Sequence, residues 1–423
     1  MPATDPRAPL SPIAHAYARL LAPALEQSAP GFGEGMHPVV SWQRSGLSAL
    51  CGRPDGPPGF CPVPLPDCAD GALAAFRAIT GKNVLPGLRG ADLLVERARI
   101  TGHRRNGGAS LSGDCRLLAC SDAVLGVNLP RDSDWELLPA WLETAPIAGW
   151  EALAEQLAHR PAALLLERAR LLGLAVVEAT RIPREQQPWC RVTRFRDASP
   201  NAQRPPRVID LSSLWAGPLC SRLWQAAGAE VIKVESLQRP DGARSGPAEF
   251  FARMNSAKQE LNLALHTPAG QAQLRELVRS ADIVLEASRP RALRQMGLVA
   301  EDILAEQPGL SWLSITGYGR AEPQANWIAY GDDAAIAAGL SAVMHAANGQ
   351  WLVVGDAIAD PLTGLHAALA GWEAWRSGGG QLVDVALAGV VRHCITATAP
   401  EDGDYATRCR HWLAQMETDS GDD

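Results

Sequence analysis

Residues 207–235 read RVIDLSSLWAGPLCSRLWQAAGAEVIKVE, and this segment indicates the class of fold. Apolar, β-branched residues at 207–211 and 229–235 predict two buried strands. The segment between them, from Gly217 to Ala227, predicts a helix whose start follows directly on the first strand. A strand, a helix and a second strand in this order form a βαβ unit with parallel strands. The turn before the helix lacks the G-x-G-x-x-G pattern, so a dinucleotide fingerprint is not indicated.

The same alternation of strands and helices continues toward the C-terminus. Thr267 and Pro268 predict the start of another helix, because threonine caps helices and proline is tolerated in their first turn. Strands that alternate with helices of this length are typical of parallel sheets. The sequence therefore predicts an α/β large domain with a doubly wound, Rossmann-like parallel sheet. Its further strands are expected at residues 258–265, 281–287, 310–319 and 381–387.

The N-terminal half predicts a smaller α+β domain. Residues 115–129 contain two short apolar runs around a turn, which indicates two strands, and Asp134 is expected to cap the helix that follows. A polar, proline-rich linker at 196–206 separates the two parts of the chain. The domains are therefore expected at residues 1–200 and 204–423. Helices of the smaller domain are expected at residues 70–81, 87–99, 149–158 and 161–174.

The composition argues against several classes of protein. The chain has 423 residues, of which 20% are charged, and a formal net charge of −7. A mildly acidic chain without basic blocks argues against nucleic acid as a partner. None of the nine cysteines forms a C-x-x-C pair, which indicates reduced thiols in a cytoplasmic protein without a metal site. The proline-rich N-terminus and the interrupted apolar runs predict neither a signal peptide nor a membrane span.

Six segments of the C-terminal half resemble the family III CoA-transferases. This is the CaiB/BaiF superfamily, which includes formyl-CoA transferases and α-methylacyl-CoA racemases. The resemblance implies an enzyme that moves CoA between an acyl-CoA thioester and a carboxylic acid, with both as substrates and no permanently bound cofactor. The segments are VIDLSSLWAGPLCSRLWQAAGAEVIKVE (208–235), FFARMNSAKQELNLALHTPAGQAQLRELV (250–278), ADIVLEASRPRALRQMGL (281–298), QPGLSWLSITGYG (307–319), IADPLTGLHAALA (358–370) and GGGQLVDVAL (378–387).

The resemblance implies Asp360 as the catalytic carboxylate. In the family an aspartate in this element attacks the thioester carbonyl and forms an acyl anhydride, and then an aspartyl-CoA thioester, which suits covalent catalysis. Asp360 precedes a Pro-Leu-Thr-Gly segment, which predicts a position at the start of a helix. Asp356 is the nearest competitor, but only Asp360 has Thr and Gly three and four residues further on.

A second acidic residue is implied by AYGDDAAIAAGL (329–340). This stretch resembles the one in which formyl-CoA transferases place an acidic residue toward the acyl group. Counting back from the small residues that follow selects Asp332 for that role, and Asp333 stays open as the alternative.

The resemblance also implies where CoA binds. The family takes cations for the phosphates of CoA from the ends of the second and fourth strands. Trp215 stands where formyl-CoA transferases have glutamine, which favours an acyl group larger and more apolar than formyl. The residues implied for CoA are Lys233, Arg239, Ser288, Arg289, Arg291 and Arg294.

Two other functions stay open. The family's racemases use a His/Asp pair, but the corresponding element here reads YGDD, and His366 lies on another element. A CoA-thioester-binding partner protein without activity is the second alternative, because GDCRLLACSDAVLGVNLPRDSDWELLPAWLE (113–143) resembles the family's small domain yet precedes the large domain. The family further implies a homodimer. The sequence does not identify the acyl group, the acceptor acid or the need for a second chain.

Overall fold

A computed structural model describes residues 10–22, 37–196 and 204–419. Most of the linker expected at 196–206 therefore lies outside the described residues. The strands are β1 (Cys115–Ala119), β2 (Val124–Asn128), β3 (Ala175–Glu178), β4 (Cys190–Arg194), β5 (Arg207–Asp210), β6 (Glu230–Ser236), β7 (Gln259–Leu263), β8 (Ile283–Glu286), β9 (Ser311–Thr316) and β10 (Gln381–Ala386).

Helices account for most of the remaining described residues. They are α1 (Pro12–Leu21), α2 (Pro38–Ser45), α3 (Leu65–Thr80), α4 (Gly90–Leu93), α5 (Glu96–Thr101), α6 (Asp132–Glu136), α7 (Leu138–Leu142), α8 (Gly149–Ala158), α9 (Ala162–Leu172), α10 (Ala216–Ala226), α11 (Ala248–Asn255), α12 (Pro268–Arg279), α13 (Pro290–Gln295), α14 (Ala300–Glu306), α15 (Gly331–Ala338), α16 (Leu340–Asn348), α17 (Ala359–Arg376), α18 (Leu387–Ala397) and α19 (Tyr405–Asp419). Among the described residues, no helix is both long and apolar enough to cross a membrane.

The large sheet has seven strands in the order β4-β10-β9-β8-β5-β6-β7. All neighbouring pairs are parallel except β10 and β4, which are antiparallel. The chain progresses from β5 outward through β6 and β7, then returns to place β8 on the other side of β5. This reversal creates a switch point between β5 and β8, where ligands of such sheets bind at the carboxyl ends of the strands. The predicted doubly wound α/β fold is confirmed.

Both faces of the sheet are covered by helices because its strands are apolar on both sides. In β5, Val208 faces a core that includes α10 and α17, whereas Ile209 faces a core that includes α12 and α14. Successive side chains of a strand point to opposite faces, so this alternation follows directly from the sequence.

The smaller sheet is antiparallel, with the order β1-β2-β3. Strands β1 and β2 were predicted, but β3 was not. The expectation that Asp134 is a helix cap was wrong, because α6 begins two residues earlier and Asp134 lies in its first turn. There its Oδ2 accepts a hydrogen bond of 3.1 Å from the backbone N–H of Arg131.

The N-terminal residues share a core with the large sheet. Helices α1 and α3 pack beside α17, and the hydroxyl of Tyr17 lies 2.9 Å from Nε2 of His366. Strand β4 comes before the linker but pairs with β10 at the edge of the large sheet. The expected boundary at 200/204 therefore does not coincide with the edge of the sheet or of its core.

Candidate active site

Asp360 lies where two cavities meet. It is the second residue of α17, and its backbone N–H donates to the Ala357 carbonyl at 2.8 Å. The side chain is partly exposed and lines both cavities, together with Leu214 and Tyr330. The cavities have volumes of about 310 and 250 Å³. We call the larger the cationic cavity and the smaller the apolar cavity, for the residues described next.

The cationic cavity opens at the switch point of the large sheet. Its wall contains residues that follow β5 and β8, among them Ser288 and Arg289. Arg131 and Arg239 also line it. Burial lowers the pKa of the half-buried Arg289, and the nearby charges of Arg291, Arg131 and Arg239 act in the same direction. Such a concentration of guanidinium groups is suited to phosphate groups, which arginine binds through charge-assisted hydrogen bonds.

The apolar cavity lies on the other side of Asp360. Trp215 and Phe250 are both buried and meet edge to face, with ring centroids 5.2 Å apart. The guanidinium carbon of Arg97 lies 4.9 Å from the centroid of the Trp215 ring. The indole N–H of Trp215 has no hydrogen-bond partner among the described residues. Further lining residues are Ser112, Asp114, Asn128, Pro130, Pro247, Gly331, Asp332 and Ala357.

Arg97 and Asp356 are charged residues that act on both Asp332 and Asp360. Nε of Arg97 donates to Oδ2 of Asp356 at 2.9 Å, and Nη2 of Arg97 donates to the other oxygen. Burial raises the pKa of Asp360 to about 7, against the opposing charge of Arg97. Burial and then the charge of Asp356 raise the pKa of Asp332 to about 7. At neutral pH, Asp332 and Asp360 are therefore each divided between the neutral and the ionised form.

The two adjacent aspartates have different surroundings. Oδ1 of Asp332 accepts from the Ala357 backbone at 2.9 Å, and the residue lines the apolar cavity. Asp333 is fully buried and accepts hydrogen bonds from the side chains of Asn128 and Tyr318 and from the backbone N–H of Tyr330. Of the two candidates, only Asp332 reaches the cavity.

Three of the six residues implied for CoA line the cationic cavity, and the other three do not. Arg239, Ser288 and Arg289 line the cationic cavity, whereas Arg291 lies beside Arg289 without lining it. Arg294 points elsewhere and forms an exposed ion pair of 3.1 Å with Glu301.

Lys233 requires a correction as a phosphate ligand. Its side chain is fully buried, forms a 2.8 Å ion pair with Asp241 and donates to the Ser212 carbonyl at 2.9 Å. A side chain in this position reinforces the loop after β5 and cannot contact CoA. The sequence shows Lys233 within an apolar strand, but its partner eight residues later becomes evident only in the fold.

Two arginines that line the cavities, Arg97 and Arg131, were not predicted from the sequence. Both arginines belong to the N-terminal half, and Asp360 follows them in the sequence by more than two hundred residues. No motif surrounds either arginine, so the sequence offers no local signal for them. Arg131 is the first residue before α6, and its guanidinium also binds Asp134.

His366 does not reach either cavity. Its Nδ1 lies 2.7 Å from the Leu362 carbonyl and its Nε2 lies 2.9 Å from the Tyr17 hydroxyl. Burial lowers the pKa of His366 to about 3. Neither cavity is lined by a histidine among the described residues. Within the same residues, no cluster of His, Cys, Asp and Glu side chains is arranged to hold a metal ion.

Comparison with known proteins shows what the chain is similar to. Residues 206–411 match the model of CoA-transferase family III. A succinyl-CoA–D-citramalate CoA-transferase from Chloroflexus aurantiacus is 32% identical over 48% of this chain and 54% of its own length. A succinate–glutarate CoA-transferase from Agrobacterium fabrum is 34% identical over 43% of this chain and 50% of its own length.

One solved structure adds a comparison in three dimensions. A CAIB/BAIF family protein from Brucella suis has a TM-score of 0.42 and 28% identity over 49% of this chain and 56% of that one. The chain spans about half the length of the curated relatives it matches.

Proposed function

We propose that this protein transfers CoA between an acyl-CoA thioester and a carboxylic acid, with Asp360 as the nucleophile. One observation supports this most directly: Asp360 lines both the cationic and the apolar cavity. Phosphates of CoA bound among Arg131, Arg239 and Arg289 would leave the thioester at the meeting point of the cavities. The acyl group would then enter the apolar cavity.

The proposed reaction is a series of nucleophilic displacements that begins and ends with the free carboxylate of Asp360. The ionised carboxylate attacks the thioester carbonyl, the carbon–sulfur bond breaks, and an acyl-aspartyl anhydride and CoA thiolate form. The thiolate then attacks the aspartyl carbonyl and releases the first acid as its carboxylate. The acceptor carboxylate attacks the resulting aspartyl-CoA thioester, and the expelled thiolate attacks the new acyl carbonyl. Acyl-CoA leaves and the free carboxylate of Asp360 is restored.

The surroundings of Asp360 suit these reaction steps. Burial raises the pKa of Asp360 to about 7, so the ionised form is less hydrated and a stronger nucleophile than an ordinary carboxylate. Negative charge that develops on the attacked carbonyl oxygen needs a donor. The indole N–H of Trp215, which has no partner among the described residues, is available at the wall of the apolar cavity. Asp332, with a pKa raised to about 7, can face the acyl group in its neutral form.

An oxygen-transfer experiment tests the role of Asp360. The acceptor carboxylate is labelled with a heavy oxygen isotope. In the reaction steps described above, each turnover then places one labelled oxygen on the nucleophilic carboxyl group. Peptide fragmentation should find the label on Asp360 and not on Asp356, which serves as an internal control four residues away. Transfer without label on Asp360 would show that another group is the nucleophile.

The chemistry of the site favours transfer over the two alternatives. An α-proton racemase needs a base at the substrate, and His366 is enclosed by Leu362 and Tyr17. An inactive binding protein would not require a carboxylate where both cavities meet. Incubation with an α-methylacyl-CoA in deuterated water separates the cases, because α-deuterium uptake indicates racemisation.

Three further proposals concern the location in the cell, the oligomeric state and the role of the N-terminal part. Nine free cysteines fit a reducing compartment, so we propose a cytoplasmic location. A homodimer and an accessory role for the N-terminal part rest on the resemblance to the family. Sedimentation of the full chain checks the oligomeric state, since a purely monomeric active enzyme would exclude an obligatory dimer.

A further inference from the structure

We infer that the apolar cavity selects monocarboxylic acids with a short or branched apolar chain over dicarboxylic acids such as succinate. This inference rests on the proposed transfer at Asp360 and specifies the acid that takes part in it. It concerns the group that lies beyond the reacting carboxylate, on the side of Trp215 and Phe250.

Part of the lining of the cavity is built from apolar groups. The Trp215 and Phe250 rings lie edge to face, and Leu214, Pro130 and Pro247 extend the surface. An alkyl chain gains free energy when it leaves water for such a surface, whereas a second carboxylate loses its hydration there.

The charges of the cavity also disfavour a second carboxylate. The lining residues include three acidic side chains, Asp114, Asp332 and Asp360, and one cation, Arg97. Arg97 is already engaged by Asp356 through both Nε and Nη2. A dicarboxylic acid would therefore add negative charge to an acidic region. Arg97, the one cation among the described lining residues, already has a carboxylate partner.

The volume limits the size of the acid. At about 250 Å³, the cavity is smaller than the roughly 300–1,000 Å³ of sites for drug-sized ligands. A chain of a few carbons, straight or branched, fits this space better than a long fatty chain. The name of one relative includes succinyl-CoA, the thioester of a dicarboxylic acid. The inferred preference for apolar acids therefore distinguishes this protein from that relative.

Two acids of the same shape provide the test. Succinate and 4-methylpentanoate differ only in that an isopropyl group replaces the distal carboxylate. Each isotopically labelled acid is incubated with its own unlabelled CoA thioester and the full-length protein, and exchange of label into the thioester is measured. Self-exchange requires no knowledge of the natural partner acid. We expect kcat/KM for exchange to be at least roughly tenfold higher with 4-methylpentanoate, the scale of discrimination by an apolar pocket.

The outcomes separate the inference from the proposed function. Faster exchange with succinate would overturn the selection of apolar acids while supporting transfer. Absence of exchange with both acids would overturn transfer itself, and the inference with it. Loss of succinyl-CoA is also measured without enzyme and with the Asp360→Asn variant. These two rates correct the exchange data for spontaneous hydrolysis of the thioester.

Phe250 connects the preference to the cavity. Phe250→Ala should reduce exchange of 4-methylpentanoate about tenfold more than it reduces exchange of succinate, because the lost apolar surface favours the alkyl chain. Phe250→Leu keeps an apolar side chain and should retain most of the preference. Unchanged affinity for free CoA, measured by calorimetry, verifies that the variants are folded. A preference that survives Phe250→Ala in a folded variant contradicts the assignment of the wall.

Discussion

A Cβ atom placed on Gly331 would lie 2.5 Å from Oδ2 of Asp360. It would also lie 2.4 Å from the carbonyl oxygen of Ala357, which is backbone and cannot rotate away. Helix α15 can therefore begin beside the candidate nucleophile only because Gly331 has no side chain. The glycine of the YGDD element thus fixes the distance between Asp360 and the helix that positions Asp332.

Gly331→Ala should displace Asp360 and lower the rate of transfer by at least about tenfold, because small displacements of catalytic groups have large effects on rate. Steady-state kinetics with any accepted acyl-CoA measures the change. Gly309→Ala is the matched control, since Gly309 is exposed and has no atom near the position of an added Cβ. Equal activity of both variants would contradict the close approach.

The transfer rate should rise with pH through about 7. In the proposed mechanism Asp360 reacts as a carboxylate. Burial raises its pKa to about 7, so acidification below that value should remove the proposed nucleophile. The measurement is kcat/KM from pH 5.5 to pH 8.5. A flat profile over this range would show that Asp360 is ionised throughout or is not the nucleophile.

Asp356→Asn should move this profile to lower pH. The charge of Asp356 raises the pKa of Asp360, and its loss also leaves Arg97 free to stabilise the ionised nucleophile. The same kinetics with Asp302→Asn, an exposed residue of α14, provide the control. A shift toward higher pH in Asp356→Asn would contradict the arrangement of charges.

Stability should fall as pH rises from about 4 to about 7. The folded-state pKa of Asp332 is raised to about 7, above the value of about 3.9 in an unfolded chain, so the folded protein binds more protons in this window. Asp332→Asn should therefore lose less stability than the wild type over the same window. Urea denaturation at several pH values measures the difference, and parallel curves for the two proteins would refute it.

Arg289→Ala should weaken CoA binding roughly tenfold or more, the value of a lost charge-assisted hydrogen bond of about 1.5–3 kcal/mol. The effect should shrink at high salt because screening weakens the contact in the wild type. Arg294→Ala is the control, because Arg294 is exposed and paired with Glu301. Equal losses in both variants, measured by calorimetry with free CoA, would indicate a general effect of surface charge.

Six of the seven strands of the large sheet could be predicted from the sequence, and β4 at its edge could not. The strands β5 and β6, the helix between them and the cap of α12 at Thr267 depend on local patterns, because side chains alternate along a strand and caps bond within one turn. Asp360 at the start of α17 also followed from its own neighbours in the chain. The same local patterns misplaced the cap of α6 by three residues, because the helix is capped at Arg131 and Asp134 lies in its first turn.

The charges around Asp360 could not be predicted from the sequence, because they depend on the three-dimensional fold. The fold brings Arg97 and Arg131 from the N-terminal half to the two cavities, and it encloses Lys233 in an ion pair with Asp241. These contacts join residues that are remote in sequence or hidden within a strand, and their energies depend on burial as much as on residue type. A sequence pattern specifies which groups a chain contains, but the charge state and accessibility of each group depend on what the fold packs around it.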